Sequence, residues 1–443
     1  MSRTPSGETR RPKEGRTPKS DAAKAALQRL ETLAKISEEP GRLTRTFCSP
    51  AMRHANDLVG RWMRQAGMEV REDPVGNLLG RYPAQMPELR SKDKKTLLLG
   101  SHLDTVRNAG KFDGALGVVL ALACVEELKR RKKRMPFAIE VVGFADEEGV
   151  RYQSAYLGSR AMAGKLGATD LKRTDPDGIS MAEAIRRFGG KPERLKDARN
   201  DGKRLLGYVE AHIEQGPLLE DENLALGVGT AIAGQSRFRV VFSGQAGHAG
   251  TTPMRSRHDA LCAAAVFILA VEKQARKTAG LVATVGQIQT EPGASNVIPG
   301  TVTLTLDVRH ERDPARKSAC IRLQKMAKRI GAGRGVKVSV QPVQQTPSVR
   351  CSRGLSDCLK RAALRHQRKV LALPSGAGHD AAIMARITPA AMLFNRCRRG
   401  ISHHPAESVK LADVRVALKV LVEFLELLSW QVGHAGRKVR LRT

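Results

Sequence analysis

The chain has 443 residues, of which 41% are hydrophobic and 4% aromatic. This length favours two domains, because one hydrophobic core usually stops growing below it, and the apolar content excludes a wholly disordered chain. The net charge of +32 would suit a polyanion or an anionic substrate. The basic residues are, however, spread along the chain without a zinc-finger or RNA-binding pattern, so we interpret most of them as solvated surface.

Cysteine usage and apolar runs bear on the compartment. The seven cysteines are scattered, odd in number and without a CxxC pair, which favours free thiols in a cytoplasmic protein. The N-terminus lacks the layout of a secretory signal, and the longest apolar run, 260–271, is too short to span a bilayer. We therefore expect a cytoplasmic protein without membrane contact.

The first half of the chain predicts a parallel α/β sheet. Residues 1–20 are rich in Arg, Lys, Pro and Ser and predict a disordered basic tail. A helical segment, interrupted near Pro40 and Pro50, is followed by strands with a long helix between the last two. Chemistry in such sheets lies at the carboxyl ends of the strands. The predicted elements are the helical segment 21–66, strands 77–80, 96–100 and 138–144, and the helix 115–130.

The pattern changes near Arg237 and changes back after Pro347. Alternating strands and two helices between these points predict a compact α+β insertion over 234–346. The flanking parts, 21–233 and 347–432, would form one α/β domain, and 433–443 a basic C-terminal tail. The predicted elements are strands 237–244, 301–309 and 336–343 with helices 258–276 and 315–330, then helices 355–365 and 412–430 with strands 372–374 and 390–394.

Imidazole and carboxylate side chains cluster in short motifs, two of which directly follow apolar strands. These are the ligands that hard or borderline divalent ions prefer, and two ions about 3.5–4 Å apart need a shared ligand. Each motif alone has an ordinary structural interpretation, as a surface pair, a solvated helix face, a core histidine or a polar loop. The ordered set favours a metal site. Its members are His102 and Asp104, Asp113, Glu147 and Glu148, His212, and His403.

Two spacings suggest roles within that set. His102 and Asp104 lie on the same face of an extended segment, so Asp104 can orient His102. Glu147 and Glu148 are adjacent, so their side chains diverge. One can bind metal while the other faces water as a general base.

Over residues 22–430 the chain resembles the M20 metallopeptidase and amidase family, in the branch of allantoate amidohydrolase, N-carbamoyl-L-amino acid hydrolase and β-ureidopropionase. The resemblance implies a zinc-aminopeptidase-like di-metal catalytic domain with an inserted lid and dimerisation domain. The stretches that carry it are GSHLDTVRNAGKFDGALGV, FADEEGVRYQSAYLGSRAMAG, EAHIEQGPLLE, GQAGHAGTTPM, SNVIPG, SGAGHDA and GISHHPAE.

The resemblance also implies a role for each metal-site residue. His102 and Glu148 would be terminal ligands of different metals, Asp113 would bridge both ions, and His212 and His403 would complete the two sites. Asp104 would orient His102, and Glu147 would be the base. The cofactors would be two divalent ions, Mn²⁺ or Zn²⁺, with Co²⁺ or Ni²⁺ also compatible with the ligands.

The resemblance further implies substrate contacts. His248 would donate to the oxyanion and contact substrate, Asn296 and Arg309 would bind a carboxylate, and Gln215 would contact an amide. His379 would lie near the metals and help to bind substrate. A turn-forming Asn, a strand-edge Arg and a tight turn around His379 are the alternatives. The family pairs through the insertion, so we expect a homodimer in which His248 and Asn296 act on the partner's site.

Three stretches are more similar to allantoate enzymes than to the carbamoylases of the same branch. They are NAGKFDG, GTAIAGQSR and MLFNRCRRGISHHPAE. The expected reaction is conversion of allantoate to ureidoglycine or ureidoglycolate, with release of ammonia and CO₂. The alternatives are an N-carbamoyl-L-amino acid hydrolase or β-ureidopropionase, a carboxypeptidase or dipeptidase of the same family, and a polyanion-binding protein on an inactive hydrolase scaffold. We expect a small anionic ureido substrate and no nucleic-acid partner.

Overall fold

The computed structural model of the chain describes residues 21–85 and 95–434. The predicted tails, 1–20 and 433–443, lie outside the described residues, apart from the backbone of 433 and 434, which ends the last helix. Within these ranges no helix has both the length and the apolar content needed to cross a membrane. The seven cysteines are free thiols.

Helices and strands alternate along the first half of the chain, and a strand-rich segment precedes the last helices. In chain order they are α1 Ala22–Leu33, α2 Pro50–Gln65, β1 Glu69–Glu72, β2 Leu78–Tyr82, β3 Thr96–His102, α3 Ala115–Arg130, β4 Ala138–Phe144, α4 Leu157–Met162, α5 Ala168–Leu171, α6 Met181–Phe188, β5 Leu205–Ile213, α7 Leu218–Asp221, β6 Leu226–Ile232, β7 Gly234–Ser243, β8 Gly247–His248, α8 Ala260–Arg276, β9 Val282–Glu291, β10 Val297–Ile298, β11 Thr301–His310, α9 Asp313–Ala332, β12 Lys337–Thr346, β13 Val349–Arg350, α10 Arg353–Leu364, β14 Leu371–Ser375, α11 Asp380–Met384, β15 Ala390–Asn395 and α12 Leu411–His434.

A nine-stranded sheet forms the centre of the molecule. Its order is β1-β2-β4-β3-β5-β15-β6-β13, with β14 pairing to β6. The four middle strands, β4, β3, β5 and β15, run parallel, whereas β2 and β6 pair antiparallel to them at the two sides. This confirms the α/β fold with a mostly parallel central sheet.

The composition of the central elements explains their burial. All seven residues of β3 and all seven of β4 are buried, as expected for strands covered on both faces. Helix α3 crosses from β3 to β4 and contacts the sheet, α1 and α12. It is therefore apolar almost all round, with only its C-terminal turn charged.

Residues 234–346 form a second sheet with its own core. Its order is β12-β7-β11-β9, and every pairing is antiparallel. Helices α8 and α9 contact this sheet, and the core includes Phe242 and Phe267, whose ring centroids lie 5.7 Å apart. Strand β11 alternates buried and less buried positions, as its sequence predicts. The role of this insertion as a lid and dimerisation domain stays a prediction.

Candidate metal centre and active site

The carboxyl ends of the middle strands carry the predicted metal ligands. His102 ends β3, Glu148 follows β4, and His212 is the last but one residue of β5. Asp113 lies just before α3, and His403 lies in the loop after β15. Because parallel strands end at the same sheet edge, loops that are distant in sequence meet there.

The five predicted ligands form two groups that share Asp113. In the first, the Nε2 atoms of His102 and His212 lie 3.4 and 3.1 Å from Asp113 Oδ1. In the second, His403 Nε2 lies 3.2 Å from Asp113 Oδ2 and 3.4 Å from Glu148 Oε1. Within each group one ligand atom per residue lies within 4.8 Å of the others. Each group could hold one metal ion, with Asp113 between the two.

The hydrogen bonds of the histidines fit metal binding. His212 Nδ1 lies 2.9 Å from the carbonyl of Ile213, and His102 Nδ1 lies 3.1 Å from the carbonyl and 3.3 Å from the carboxylate of Asp104. A proton on Nδ1 satisfies these contacts and leaves the Nε2 lone pair facing Asp113. Metal-binding histidines are usually oriented in this way, so the donor set suits divalent cations.

Asp104 also holds the loop of the two glutamates. Its carboxylate accepts the backbone N–H groups of Glu147 at 2.9 Å and Glu148 at 3.1 Å. The side chain is 1% exposed. One buried carboxylate thus touches the His102 ring and the backbone of both glutamates.

The charges of the site shift the proton affinities of its members. Burial and the neighbouring Glu148 carboxylate raise the pKa of Glu147 well above its ordinary value. Burial and the nearby Asp113 raise the pKa of Glu148 to about 7. The hydrogen bond to Asp113 raises the pKa of His403 to about 9. His102, Glu147 and Glu148 form a further group within 4.8 Å, so Glu147 lies beside the ligands.

Ser402 and Glu407 lie in the site and were not predicted to belong to it. Ser402 Oγ donates to Asp113 Oδ2 at 2.8 Å. Glu407 is 2% exposed and accepts the backbone N–H groups of Phe112 and Asp113 at 2.7 and 3.0 Å. Both lie in the GISHHPAE stretch, from which only His403 was predicted as a ligand. The signal was therefore present in a motif already singled out.

Gln215 lies against the shared carboxylate. Its Nε2 donates to Asp113 Oδ2 at 2.9 Å and to Ser402 Oγ at 3.0 Å, and its Oε1 is buried without a hydrogen-bond partner in the described part of the chain. Its backbone is left-handed, with a φ of 58°. This amide therefore presents a free acceptor next to the two metal-binding groups.

Arg309 joins the insertion to the central domain. Its Nε and Nη2 donate to the carboxylate of Asp307, and its Nη1 donates to the carbonyl of Gly376 at 2.8 Å. Gly376 belongs to the loop that leads to His379. Three of the five guanidinium N–H groups are thus engaged by residues that the structure describes, which leaves two for a ligand.

His379 lies behind one of the metal-binding histidines. It is 2% exposed, its ring centroid lies 4.6 Å from that of His212, and its Nε2 lies 2.7 Å from Ser375 Oγ. Burial and the nearby His212 hold the pKa of His379 well below its usual range. Its contacts are those of a support for His212, and its substrate contact stays a prediction.

His248 and Asn296 lie on the insertion, on the paired strands β8 and β10 and the turn before β10. His248 Nδ1 accepts the backbone N–H groups of Gly250 and Thr251, and the Asn296 carbonyl accepts the N–H of Ala249. Both side chains are exposed. The structure brings these two residues together but leaves them outside the two metal-binding groups.

Known proteins of one family resemble this chain over most of its length. Peptidase family M20/M25/M40 matches residues 98–427. The chain is 40% identical to allantoate deiminase 1 of Glycine max, over 91% of this chain and 89% of that protein. It is also 40% identical to N-carbamoyl-L-amino acid amidohydrolase of Geobacillus stearothermophilus, over 92% and 98%.

A solved structure with the same fold is an amidase of the hydantoinase/carbamoylase family from Burkholderia multivorans. It superposes with a TM-score of 0.84 at 32% identity, covering 91% of this chain and 97% of that one. The chain therefore belongs to peptidase family M20/M25/M40, and it is a hydrolase of carbon–nitrogen bonds.

Proposed function

We propose that the chain hydrolyses a C–N bond of a small anionic ureido compound, most consistently allantoate, with two divalent ions such as Mn²⁺ or Zn²⁺ held by the five ligands. The observation that carries this proposal is the pair of donor groups sharing Asp113, with Glu147 beside them. Each group offers imidazole and carboxylate atoms, and thiolates are absent from both. Two divalent ions about 3.5–4 Å apart would need a shared ligand, and the Asp113 carboxylate could supply it.

In the proposed reaction, the chain's residues move one proton and hold the substrate. Divalent ions, when bound, polarise the ureido carbonyl and lower the pKa of water. Glu147 accepts a proton from the attacking water and passes it to the leaving nitrogen. His248 donates a hydrogen bond to the developing oxyanion. The carbamate product then breaks down to ammonia and CO₂, leaving ureidoglycine when the substrate is allantoate.

The polar groups around the site support a ureido substrate with a carboxylate. Among the residues that the structure describes, Gln215 Oε1 is a buried acceptor without a partner. A carbamoyl NH₂ group is a donor of the right kind for it, because an unpaired buried acceptor is costly. Arg309 retains free N–H groups for a carboxylate, which a planar guanidinium binds well. We propose that Asn296 assists there.

An N-carbamoyl-L-amino acid is the alternative substrate. Such compounds also combine a carboxylate with one ureido group, and relatives named for both activities are 40% identical to this chain. Overall sequence identity therefore does not distinguish allantoate from an N-carbamoyl-L-amino acid as the substrate. Our preference for allantoate rests on the three stretches near the site, particularly the Arg-rich turn that precedes His403.

A substrate panel combined with one variant tests the proposal. We expect ammonia release from allantoate by Mn²⁺-loaded protein, with lower activity on N-carbamoyl amino acids and 3-ureidopropionate and none on dipeptides. Glu147→Gln should keep its bound metal, measured by elemental analysis, yet lose at least about 100-fold in kcat, because only the base is removed. Glu193→Gln, at an exposed position, is the control and should behave as wild type.

Three outcomes would count against the proposal. Normal turnover by Glu147→Gln would remove that residue from its role. Cleavage of dipeptides alone would favour a peptidase. Salt-sensitive retention on heparin by a protein that turns over none of these compounds would favour the polyanion-binding alternative.

We also infer that the chain is a homodimer through the insertion. Helix α8 exposes apolar side chains on one face, including Val266 at 39% and Leu269 at 66% exposure, at the spacing of one helical surface. His248 and Asn296 are exposed on the same insertion. A partner subunit packed there would cover the apolar face and could receive His248 in its own site.

Mixing two inactive variants tests this arrangement. Glu147→Gln and His248→Ala each carry one lesion. If His248 acts across the dimer, subunit exchange places an intact Glu147 site next to an intact partner His248, and about a quarter of wild-type activity returns. If His248 acts within its own subunit, each mixed site still carries one lesion and no activity returns. A monomer in light scattering would refute the dimer itself.

A further inference from the structure

One loop of the chain contacts the shared carboxylate from two directions. Ser402 Oγ donates to the side-chain oxygen Oδ2 of Asp113 at 2.8 Å. Five residues later, Glu407 Oε1 accepts the backbone N–H groups of Phe112 and Asp113 at 2.7 and 3.0 Å. The same residue is thus held at its main chain and at its carboxylate by a segment almost 300 positions away in sequence.

The segment that carries Asp113 depends on these contacts. Helix α3 has no side-chain cap hydrogen bond at Gly114. Its first turn engages the carbonyls of Phe112 and Asp113, and the N–H groups of the same two residues go to Glu407. Glu407 therefore supplies a side-chain acceptor from a segment that is distant in sequence. The backbone at Gly110 lies close against this side chain, since a Cβ at Gly110 would lie 2.4 Å from Glu407 Cβ. The Glu407 carboxylate therefore fits a defined place under residues 110–113.

The Asp113 carboxylate turns one oxygen toward each metal-binding group. Oδ1 faces His102 and His212, whereas Oδ2 faces His403. A rotation of the carboxylate would present both oxygens to one group. Ser402 and Gln215 each donate to Oδ2, so their hydrogen bonds favour the orientation that gives each group one oxygen.

The same loop also sets His403. Its backbone is left-handed, with a φ of 56°, a conformation that a non-glycine residue keeps only when its surroundings hold it there. Ser402 precedes it directly and Glu407 follows four residues later. The orientation of the shared ligand and the placement of one terminal ligand are thus set by one segment.

We propose that Ser402 and Glu407 are positioning residues that hold Asp113 in the orientation that bridges the two metal-binding groups. This inference rests on the proposed two-metal function. Neither residue needs to touch substrate. Loss of either residue should abolish the exchange coupling between the two ions and weaken the binding of one of them. It would do so without removing any metal ligand or the base.

Electron paramagnetic resonance of Mn²⁺-loaded protein tests the role directly. Two bridged Mn²⁺ ions give an exchange-coupled spectrum, and unbridged ions give the six-line signal of isolated Mn²⁺. We expect Glu407→Leu and Ser402→Ala to lose the coupled signal and to bind the second ion about 10- to 100-fold more weakly. Glu407→Gln keeps a carbonyl oxygen for the two N–H groups and should retain most of the coupling.

Controls separate this role from general damage and from failure of the proposed function. Ser408→Ala changes the same loop at a residue whose backbone carbonyl accepts from Arg398, and it should match wild type. Ser402→Ala removes only one oxygen, so it tests the role even where Glu407→Leu fails to fold. Coupled spectra and unchanged second-ion affinity in Ser402→Ala and in folded Glu407→Leu would overturn the positioning role alone. A wild-type protein without a coupled signal would overturn the metal pair, and this role with it.

Discussion

Gly114 is the position where one added methyl group should separate metal binding from folding. Its φ of 62° and ψ of −55° are unfavourable for a residue with a side chain. A Cβ there would lie 2.4 Å from His102 Cε1 and Nε2. Ordinary contact needs about 3.4 Å, so in Gly114→Ala the imidazole would have to retreat by about 1 Å. Metal–ligand distances tolerate about 0.2 Å, so we expect the affinity of the first group for Mn²⁺ to fall at least about 100-fold.

Gly178→Ala is the matched control for that substitution. Gly178 also has a positive φ, 77°, but a Cβ there would meet no atom of residues 21–85 or 95–434 within 4 Å. Gly178→Ala carries the backbone penalty of a positive φ, about 1–2 kcal/mol, and Gly114→Ala carries at least that much plus the cost of displacing the His102 ring. Urea unfolding of the metal-free protein measures both losses. Only Gly114→Ala should lose metal affinity in a chelator competition. Equal Mn²⁺ affinities in the two variants would refute the reasoning that this glycine exists to admit the His102 ring.

Three further predictions concern the substrate, the metals and the core. Arg309→Ala should raise KM for carboxylate substrates at least about 10-fold, because a charge-assisted contact is lost. Arg239→Ala changes an exposed arginine on the same sheet and should leave KM unchanged. An equal KM in the two variants would mean that the substrate carboxylate binds elsewhere. Exhaustive chelation should abolish turnover, and added Mn²⁺ or Zn²⁺ should restore it; full activity without metal would contradict the proposed chemistry. Phe267→Ala should lower the free energy of unfolding by about 3–5 kcal/mol, since Phe267 is 1% exposed. Ile321→Ala, at 54% exposure on α9, should change it little, and equal losses would show that the insertion core is packed otherwise.

The local sequence pattern was enough to predict elements that are largely buried or that alternate between buried and less buried positions. The helix predicted over 115–130 and the strand predicted over 138–144 match α3 and β4 at both ends, because their apolar runs are long and bounded by charged or turn residues. Strand β11 was predicted from its alternation. The order of motifs along the chain also indicated the metal-ligand set, through spacing and resemblance.

Other elements have no such local signature. Strand β5, which carries His212, was not predicted, because its sequence mixes Gly, Glu and His with apolar residues although eight of its nine positions are buried. Its polar side chains are tolerated inside because tertiary partners satisfy them; Glu210, for example, accepts from Ser101 Oγ and from the backbone N–H of Ala381. Strand β9 was missed for the opposite reason, since most of its residues are exposed at a sheet edge.

The sequence by itself determined which residue types are available and which segments form the parallel core, because helical and strand periodicity are properties of neighbouring residues. Only the tertiary structure decided that Asp113 stands between two groups of ligands, that Ser402 and Glu407 hold it, and that His248 and Asn296 face solvent. Those facts depend on contacts between residues hundreds of positions apart. Such contacts are set by strand order and by the packing of loops at one sheet edge, which no local pattern encodes.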